Sequence, residues 1–409
     1  MQYNTDIAII GGGAAGLMAA ISAKRKAPNL SVTLIEGLDR VGKKLITTGN
    51  GRCNITNKSL SLSHYHGEDK EFCRYALSRF GYSEAEEFFG SVGVDFTAEG
   101  DRVYPASLQA ASVVDALRFE CDKLGINTHL SCKIKEIKKG ADFTLLSSDD
   151  KFSAKAVIIA AGLFSGGEKI GSDGSIFRLL KDMGLSSVKA TPSLVQLKTE
   201  TDFVKQLKGI KVVAKATLLR DGKALSENTD EVLFCDYGLS GPAILQISRE
   251  SARDDRKYEV SLDLYPEKSA DELTAQLIKR AELLNERSLE DFFTGMLNKR
   301  LGQVVLKYCG FKLSDFTTSL SKVDLERIAV TLKDFRFKVT SNTGFLNSQV
   351  TAGGLKTSEF DSKTMMSKKI KGLFAAGEIL DIDGDCGGFN LAFAWASGRL
   401  AAESAVDYL

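Results

Sequence analysis

The chain has 409 residues, 54 Lys+Arg against 53 Asp+Glu, and 43% hydrophobic residues. That length predicts two or three domains, and the apolar–charged balance excludes a disordered chain. A net charge of +1 provides no electrostatic footprint for nucleic acid or an anionic membrane, so neither is expected as a partner.

Seven cysteines include no C-x-x-C pair, and there are only three histidines. No zinc or iron–sulfur ligand set follows from them, so no metal is expected, and free thiols fit a reducing cytoplasm. No apolar stretch reaches membrane-spanning length. The run Ile7–Ile10 reads as a buried strand rather than a leader, because no basic region precedes it and glycines follow it.

In chain order, residues 5–36 predict one βαβ unit: a strand over Asp6–Ile10, a turn over Gly11–Gly16, a helix ending near Pro28, and a second strand over Ser31–Glu36. Residues 37–58 read as a long polar, Gly-rich loop, a length usually reserved for function. Residues 71–94 predict a helix with a capping box at Ser83 and Glu86, and Ala110–Leu124 predicts another closed by Gly125. Residues 131–162 predict a β meander ending in an apolar strand, Ala156–Ala161.

Around Pro192 the pattern changes to strand alternation, as in Lys211–Arg220 and Tyr258–Leu264. Residues 269–309 turn helical, with a capping box at Ser269 and Glu272. From about residue 345 Gly-rich turns and a buried strand, Gly372–Ala376, return, and a helix of small residues closes the chain. The fold class predicted is α/β: a Rossmann-like domain built from both termini, interrupted by a β insert and a helical cap.

The segment Gly11-Gly12-Gly13-Ala14-Ala15-Gly16 matches G-x-G-x-x-G after a strand and before a helix, with Glu36 closing the next strand. Gly11 permits the turn, Gly13 lets backbone approach a diphosphate, and Gly16 lets helix and strand pack closely. The helix N-terminus, through Ala14 and Ala15, offers N–H groups to the phosphates, and Glu36 accepts from ribose hydroxyls while disfavouring a 2′-phosphate. Two later segments favour FAD over NAD. GLFAAGE (Gly372–Glu378) places a carboxylate, Glu378, for a ribityl chain. CGGFNL (Cys386–Leu391) opens the last helix toward a flavin ring that gathers negative charge on reduction.

The block Lys43–Asn57, KKLITTGNGRCNITN, closely resembles the hallmark of the BaiN/YhiN-like flavoproteins, a group of NAD(P)/FAD-dependent oxidoreductases. RVYP (Arg102–Pro105), GLSGPAIL (Gly238–Leu245), TAGG (Thr351–Gly354), GEILDID (Gly377–Asp383) and AWASG (Ala394–Gly398) continue the likeness in order. The resemblance implies a glutathione-reductase-like FAD domain over 1–191 and 345–409, a barrel-like β insert over 192–265 and 325–344, and a helical insert over 266–324. It also implies flavin contacts at Gly11, Gly13, Gly16, Glu36, Gly42, Lys43, Lys44, Thr48, Gly49, Asn50, Gly51, Arg52, Ala161 and Gly162. Gly377, Glu378, Gly387, Gly388, Phe389, Asn390 and Leu391 complete that set. The family pattern has Thr-His before GLSGP and a small hydroxyl-type residue before GGFN; this chain has Cys235-Asp236 and Cys386.

The activity expected is an FAD-dependent oxidoreduction, with NAD(P)H as a transient reductant and a small organic molecule or dioxygen as acceptor. No second G-x-G-x-x-G follows a strand, so a dedicated nicotinamide domain is not expected. The alternatives are a flavin-binding sensor without turnover and an FAD-dependent RNA-modifying enzyme. Oligomeric state is not legible. Arg52 is the first catalytic candidate, since a guanidinium fixes a carbonyl or carboxylate, although loop arginines more often brace backbone. Tyr104 and Tyr237 are candidate proton donors, against the commoner fate of packing with the hydroxyl satisfied. Cys53 reads as a small buried residue, and His64, His66 and the run Lys363–Lys371 read as solvated segments.

Overall fold

The computed structural model describes residues 1–254 and 256–409. The chain divides into two units, Met1–Pro192 with Gln349–Leu409, and Ser193–Ser348.

The first unit is built on strand β1 (Gln2–Ile10), helix α1 (Ala14–Lys26) and strand β2 (Val32–Ile35). Both partners of β1 are parallel to it: Ile7 pairs with Ala156 on one side and with Val32 on the other. Strands covered on both faces read as continuous apolar runs, and Ile7–Ile10 is buried throughout. The sheet runs Asn127–His129, β2, β1, Lys151–Ile159, Phe143–Leu146, Glu136–Lys139. The strand Leu373–Ala375 adds in parallel to Val157–Ile159, so the C-terminal segment completes the N-terminal sheet. A Rossmann-like domain assembled from both ends of the chain is therefore observed.

Helix α1 is buried from Ala15 to Ala23 and packs on the closing helix Phe389–Tyr408. Small residues permit that approach: a Cβ at Gly398 would collide with the Ala15 carbonyl. The closing helix begins where the sequence places it, after a left-handed Gly388.

In the second unit, six strands close a barrel in the order Leu197–Thr199, Gly238–Ser240, Lys223–Phe234, Lys211–Arg220, Tyr258–Asp263, Phe335–Asn342. Tyr258, Val260 and Leu262 alternate inward, as a half-buried strand requires. Asp221 and Gly222, at φ 51° and 76°, make the two-residue hairpin turn that a DG pair favours. The capping box at Ser269 is present: Ser269 N–H donates to Glu272 (2.8 Å) and Glu272 N–H donates to Ser269 Oγ (3.2 Å).

The structure corrects several sequence expectations. The helix expected over 71–94 is broken into Lys70–Cys73, Arg74–Arg79 and Tyr82–Ser91. Buried Phe80 takes non-helical angles, and the last helix is capped at Gly81 by Glu84 (2.9 Å) rather than at Ser83 by Glu86. The region 37–58 is not a structureless loop. It holds a short helix Lys43–Thr47, a 3₁₀ turn Thr48–Gly51 and a strand Thr56–Asn57. In Lys363–Lys371 the lysines are exposed, but Met365 and Ser367 are fully buried. His64 and His66 are half-buried, and Tyr65–His66 forms a strand against Asp383–Gly384.

Candidate functional site

The turn after β1 is shaped by close packing at Gly11 and Gly16. A Cβ at Gly11 would come within 2.5 Å of the Ala160 carbonyl oxygen, and one at Gly16 would strike the Gly11 carbonyl. At Gly13 an added Cβ would meet nothing within 4 Å, so its outer side faces open space. Gly13 caps α1 without any side-chain acceptor, which leaves the first N–H groups of the helix, around Ala14, Ala15 and Gly16, available to an anion.

Beside this turn lies a cleft of about 300 Å³, lined among others by Gly11, Glu36, Ala161 and Gly162. Gly162 is left-handed, and its Cβ position is also open. Glu36 accepts from Gly12 N–H (2.7 Å) and Leu38 N–H (2.9 Å). Burial pushes its carboxyl above the usual carboxylate range, against those two donors. The carboxylate thus holds the turn from below while bordering the cleft.

Gly42 is left-handed, donates to the Gly12 carbonyl (2.8 Å) and lies against Val114, where a Cβ would come within 2.7 Å. Lys43 pairs with Asp39 (2.6 Å). Thr48 donates to the Leu45 carbonyl (2.7 Å), and Gly49, Asn50 and Gly51 run left-handed in succession. Only glycine and, less readily, Asn sustain such a run, which explains the TGNG spelling.

Lys44 donates to Glu378 and to Ser165. Glu378 also accepts from the Ser165 hydroxyl (2.5 Å) and the Thr351 N–H (2.9 Å), while the Thr351 hydroxyl accepts from Phe164 and Ser165 N–H groups. Gly377, left-handed at φ 72°, donates to Ser397 (2.9 Å) and sits over Ala15, where a Cβ would lie 3.1 Å from the alanine methyl. The C-terminal turn therefore reaches the start of α1.

At the head of the closing helix, Gly387 accepts from Asn57 (2.8 Å) and Asn390 clamps Gly384 through both its N–H and its carbonyl. Phe389 is buried and Leu391 half-buried. Two buried polar atoms nearby have no partner among the described residues, Asn54 Oδ1 and Thr56 Oγ1; a Cβ on Gly388 would lie 2.8 Å from the former. Buried polar groups are rarely left unpaired, so these two call for a partner that the protein itself does not supply.

Arg52 Nη1 donates to both carboxylate oxygens of Glu99 (2.8 and 3.0 Å), and its guanidinium lies 4.5 Å over the Tyr104 ring. Burial raises the Tyr104 phenol. Cys53 is fully buried, and burial lifts its thiol to about 12, so it is a packing residue. Within the barrel unit, exposed Asp236 pairs with Lys208 (2.7 Å), and burial raises the Tyr237 phenol. Spacing alone did not single out Ser165, Thr351, Asn54 or Thr56 as parts of these networks. Asn54 and Thr56 stand inside the hallmark block, and Thr351 inside TAGG.

The chain matches the family described as HI0933-like protein Rossmann domain over residues 5–404. It belongs to that family of FAD-binding flavoproteins. A 3-dehydro-bile acid delta(4,6)-reductase of Clostridium scindens is 35% identical over 405 residues, 98% of this chain and 99% of the relative. A ribosomal RNA dihydrouridine synthase of Haemophilus influenzae is 28% identical over 410 residues, 98% of each. Among solved structures, the 3-ketosteroid-delta4-(5alpha)-dehydrogenase of Rhodococcus jostii RHA1 superposes with a TM-score of 0.51 at 14% identity, covering 99% of this chain and 97% of that one; the likeness is one of fold. Family membership makes this chain an FAD-dependent oxidoreductase. Open Gly13, the uncapped helix, the adjoining cleft and the two orphaned polar atoms all fit that cofactor. Among the described residues, no helix is long and apolar enough to cross a membrane.

Proposed function

We propose that this chain takes reducing equivalents from NAD(P)H and uses them to saturate a carbon–carbon double bond conjugated to a carbonyl in a small organic acceptor. The observation carrying the cofactor half is Gly13, whose open side at an uncapped helix N-terminus suits a diphosphate. In this reading Gly11, Gly13, Ala14, Ala15 and Gly16 hold the diphosphate, and Glu36, Ala161 and Gly162 take the adenosine end. Lys43, Lys44, the segment Thr48–Arg52, Gly377, Glu378 and the segment Gly387–Leu391 border the ribityl and ring portions. FAD supplies hydride chemistry when bound.

The acceptor class is inferred from the relatives. One is named as a reductase of an unsaturated bile acid and the other as a synthase of dihydrouridine, and both names describe adding hydrogen across a double bond. A uridine of ribosomal RNA is the second reading, favoured by the coverage of 98% of this chain by the RNA-acting relative. The near-neutral charge of +1 favours the small molecule, because nucleic-acid affinity rests on cationic surface. Dioxygen stands as the fallback acceptor.

The test is anaerobic rapid mixing. The FAD-loaded protein is bleached with NADH or NADPH, then offered a conjugated steroid ketone, a short enone and a uridine-containing ribosomal RNA fragment. Recovery of yellow colour with a saturated product supports the reading. Colour that neither nicotinamide removes rejects the NAD(P)H assignment, and recovery with RNA alone selects the second reading.

A further inference from the structure

One cluster stands apart from the contacts assigned above. Asp385 lies between two imidazoles: His64 Nδ1 is 3.0 Å from one carboxylate oxygen, and His66 Nε2 is 2.7 Å from the other. The histidine and aspartate segments are locked together by backbone, since Asp385 N–H donates to the His64 carbonyl (2.9 Å) and His66 pairs with Asp383 in the ladder. The aspartate segment is fixed in turn to the closing helix through the Asn390 clamp on Gly384. The His64 ring stacks on Phe389, the first residue of that helix, with centroids 4.2 Å apart and planes 17° from parallel. Tyr65 donates its hydroxyl to the Phe389 carbonyl (3.0 Å).

This is the geometry of an oriented acid–base group. A carboxylate that accepts from Nδ1–H fixes the tautomer, turns Nε2 outward and steadies the imidazolium when it forms. No hydrogen bond engages His64 Nε2 among the described residues, and the side chain is 36% exposed, open enough to regain a proton from water. Arg52 is paired with Glu99, and its guanidinium lies over the Tyr104 ring.

We propose that His64, oriented by Asp385 and backed by His66, delivers the proton that alkene reduction requires; this rests on the reductase reading given above. The bound cofactor would supply hydride, on electrons from NAD(P)H, to the carbon β to the carbonyl, with the π electron pair moving toward the carbonyl. The Nε2–H bond of protonated His64 then breaks as a C–H bond forms at the α carbon. The imidazole is left neutral and takes its next proton from solvent. Asp385 and His66 are positioning residues.

The test separates the two half-reactions in the FAD-loaded protein. In His64→Gln, reoxidation by the conjugated alkene should slow by about a hundredfold or more, because general acids contribute on that scale. Bleaching by nicotinamide and reoxidation by dioxygen need no proton on carbon and should keep their rates. His66→Gln should give a smaller loss confined to the same step. Proton NMR supplies a readout independent of turnover: the hydrogen-bonded Nδ1–H resonance of His64 should shift or be lost to exchange in Asp385→Asn, since its carboxylate acceptor is gone. An alkene half-reaction within about threefold of the unsubstituted rate in His64→Gln overturns the proposal, as does a His64 Nδ1–H resonance unmoved in Asp385→Asn. An unsubstituted protein that reduces no alkene sinks the reductase reading and this role together. A failed His64→Gln effect in a working reductase sinks this role alone.

Discussion

Lys44 and Glu378, 334 positions apart, form an ion pair that ties the hallmark loop to the C-terminal turn. Ser165 and the Thr351 N–H complete the shell around the carboxylate. Both side chains are mostly buried, so removing one partner leaves a charge without compensation. Lys44→Met should destabilise the protein by about 2–3 kcal/mol, while Lys44→Met with Glu378→Gln should recover more than half of that loss. Urea unfolding of the three proteins measures it, and additive losses would show that the two groups act independently.

Gly13 and Gly16 give a paired experiment on one motif. Gly13→Val should yield a folded, colourless protein, because the branched side chain enters space empty of protein but needed by the diphosphate. Gly16→Val should instead fail to accumulate folded, because its Cβ strikes the Gly11 carbonyl inside the βαβ turn. Circular dichroism and flavin absorbance separate the two outcomes. Stoichiometric FAD in Gly13→Val would remove this turn from the cofactor site.

Glu36 serves the turn and borders the cleft, so its removal has two readouts. Glu36→Ala should weaken FAD by about 1.5–3 kcal/mol through lost ribose hydrogen bonds. It should also lower the stability of the FAD-free protein by about 1–2 kcal/mol, because the Gly12 and Leu38 N–H groups lose their acceptor. Flavin fluorescence titration and thermal unfolding of the stripped protein report the two effects. An unchanged dissociation constant beside a lowered melting point would leave Glu36 a purely structural role.

Local patterns carried the parts of the fold that depend on near neighbours. The buried run Ile7–Ile10, the glycine spacing after it and the acidic residue closing β2 specify a βαβ unit because each lies within one supersecondary element. Alternation in Tyr258–Asp263 likewise betrays a barrel strand. The break at Phe80 was not legible, because the apolar period continues through it and only tertiary burial of the ring decides the turn. The His64–Asp385 and Ser165–Glu378 pairs were hidden for another reason. Partners 321 and 213 positions apart leave no periodic trace, and two histidines separated by one residue look solvated until the strand Asp383–Gly384 arrives beside them. Arg52 is a catalytic candidate from its residue type and its place in the Gly-rich hallmark segment; its pairing with Glu99 comes from the fold.

Acid stability should depend on Asp6, on β1 at the base of the central sheet. Its carboxylate accepts from the Ser31 N–H (2.9 Å), the Ser31 hydroxyl (2.7 Å) and Lys155 Nζ (2.8 Å), joining β1 to the strand Lys151–Ile159 and to the residue that leads into β2. Burial alone would raise its pKa, but the Lys155 and Ser31 hydrogen bonds outweigh it and hold the group at about 2. A carboxyl lowered in the folded state stabilises above its unfolded value of about 3.9, and that contribution is lost as pH falls toward the folded value. Because Lys155 is largely exposed, solvent screening trims the contribution to about 1–2 kcal/mol at neutral pH. The stability gap between the unsubstituted protein and Asp6→Asn should therefore be widest above about pH 5 and should close toward pH 2. Guanidinium unfolding at several pH values measures the gap. Parallel curves across that range would mean that Asp6 titrates alike in the folded and unfolded chains, and the strand junction would then owe its strength to backbone pairing alone.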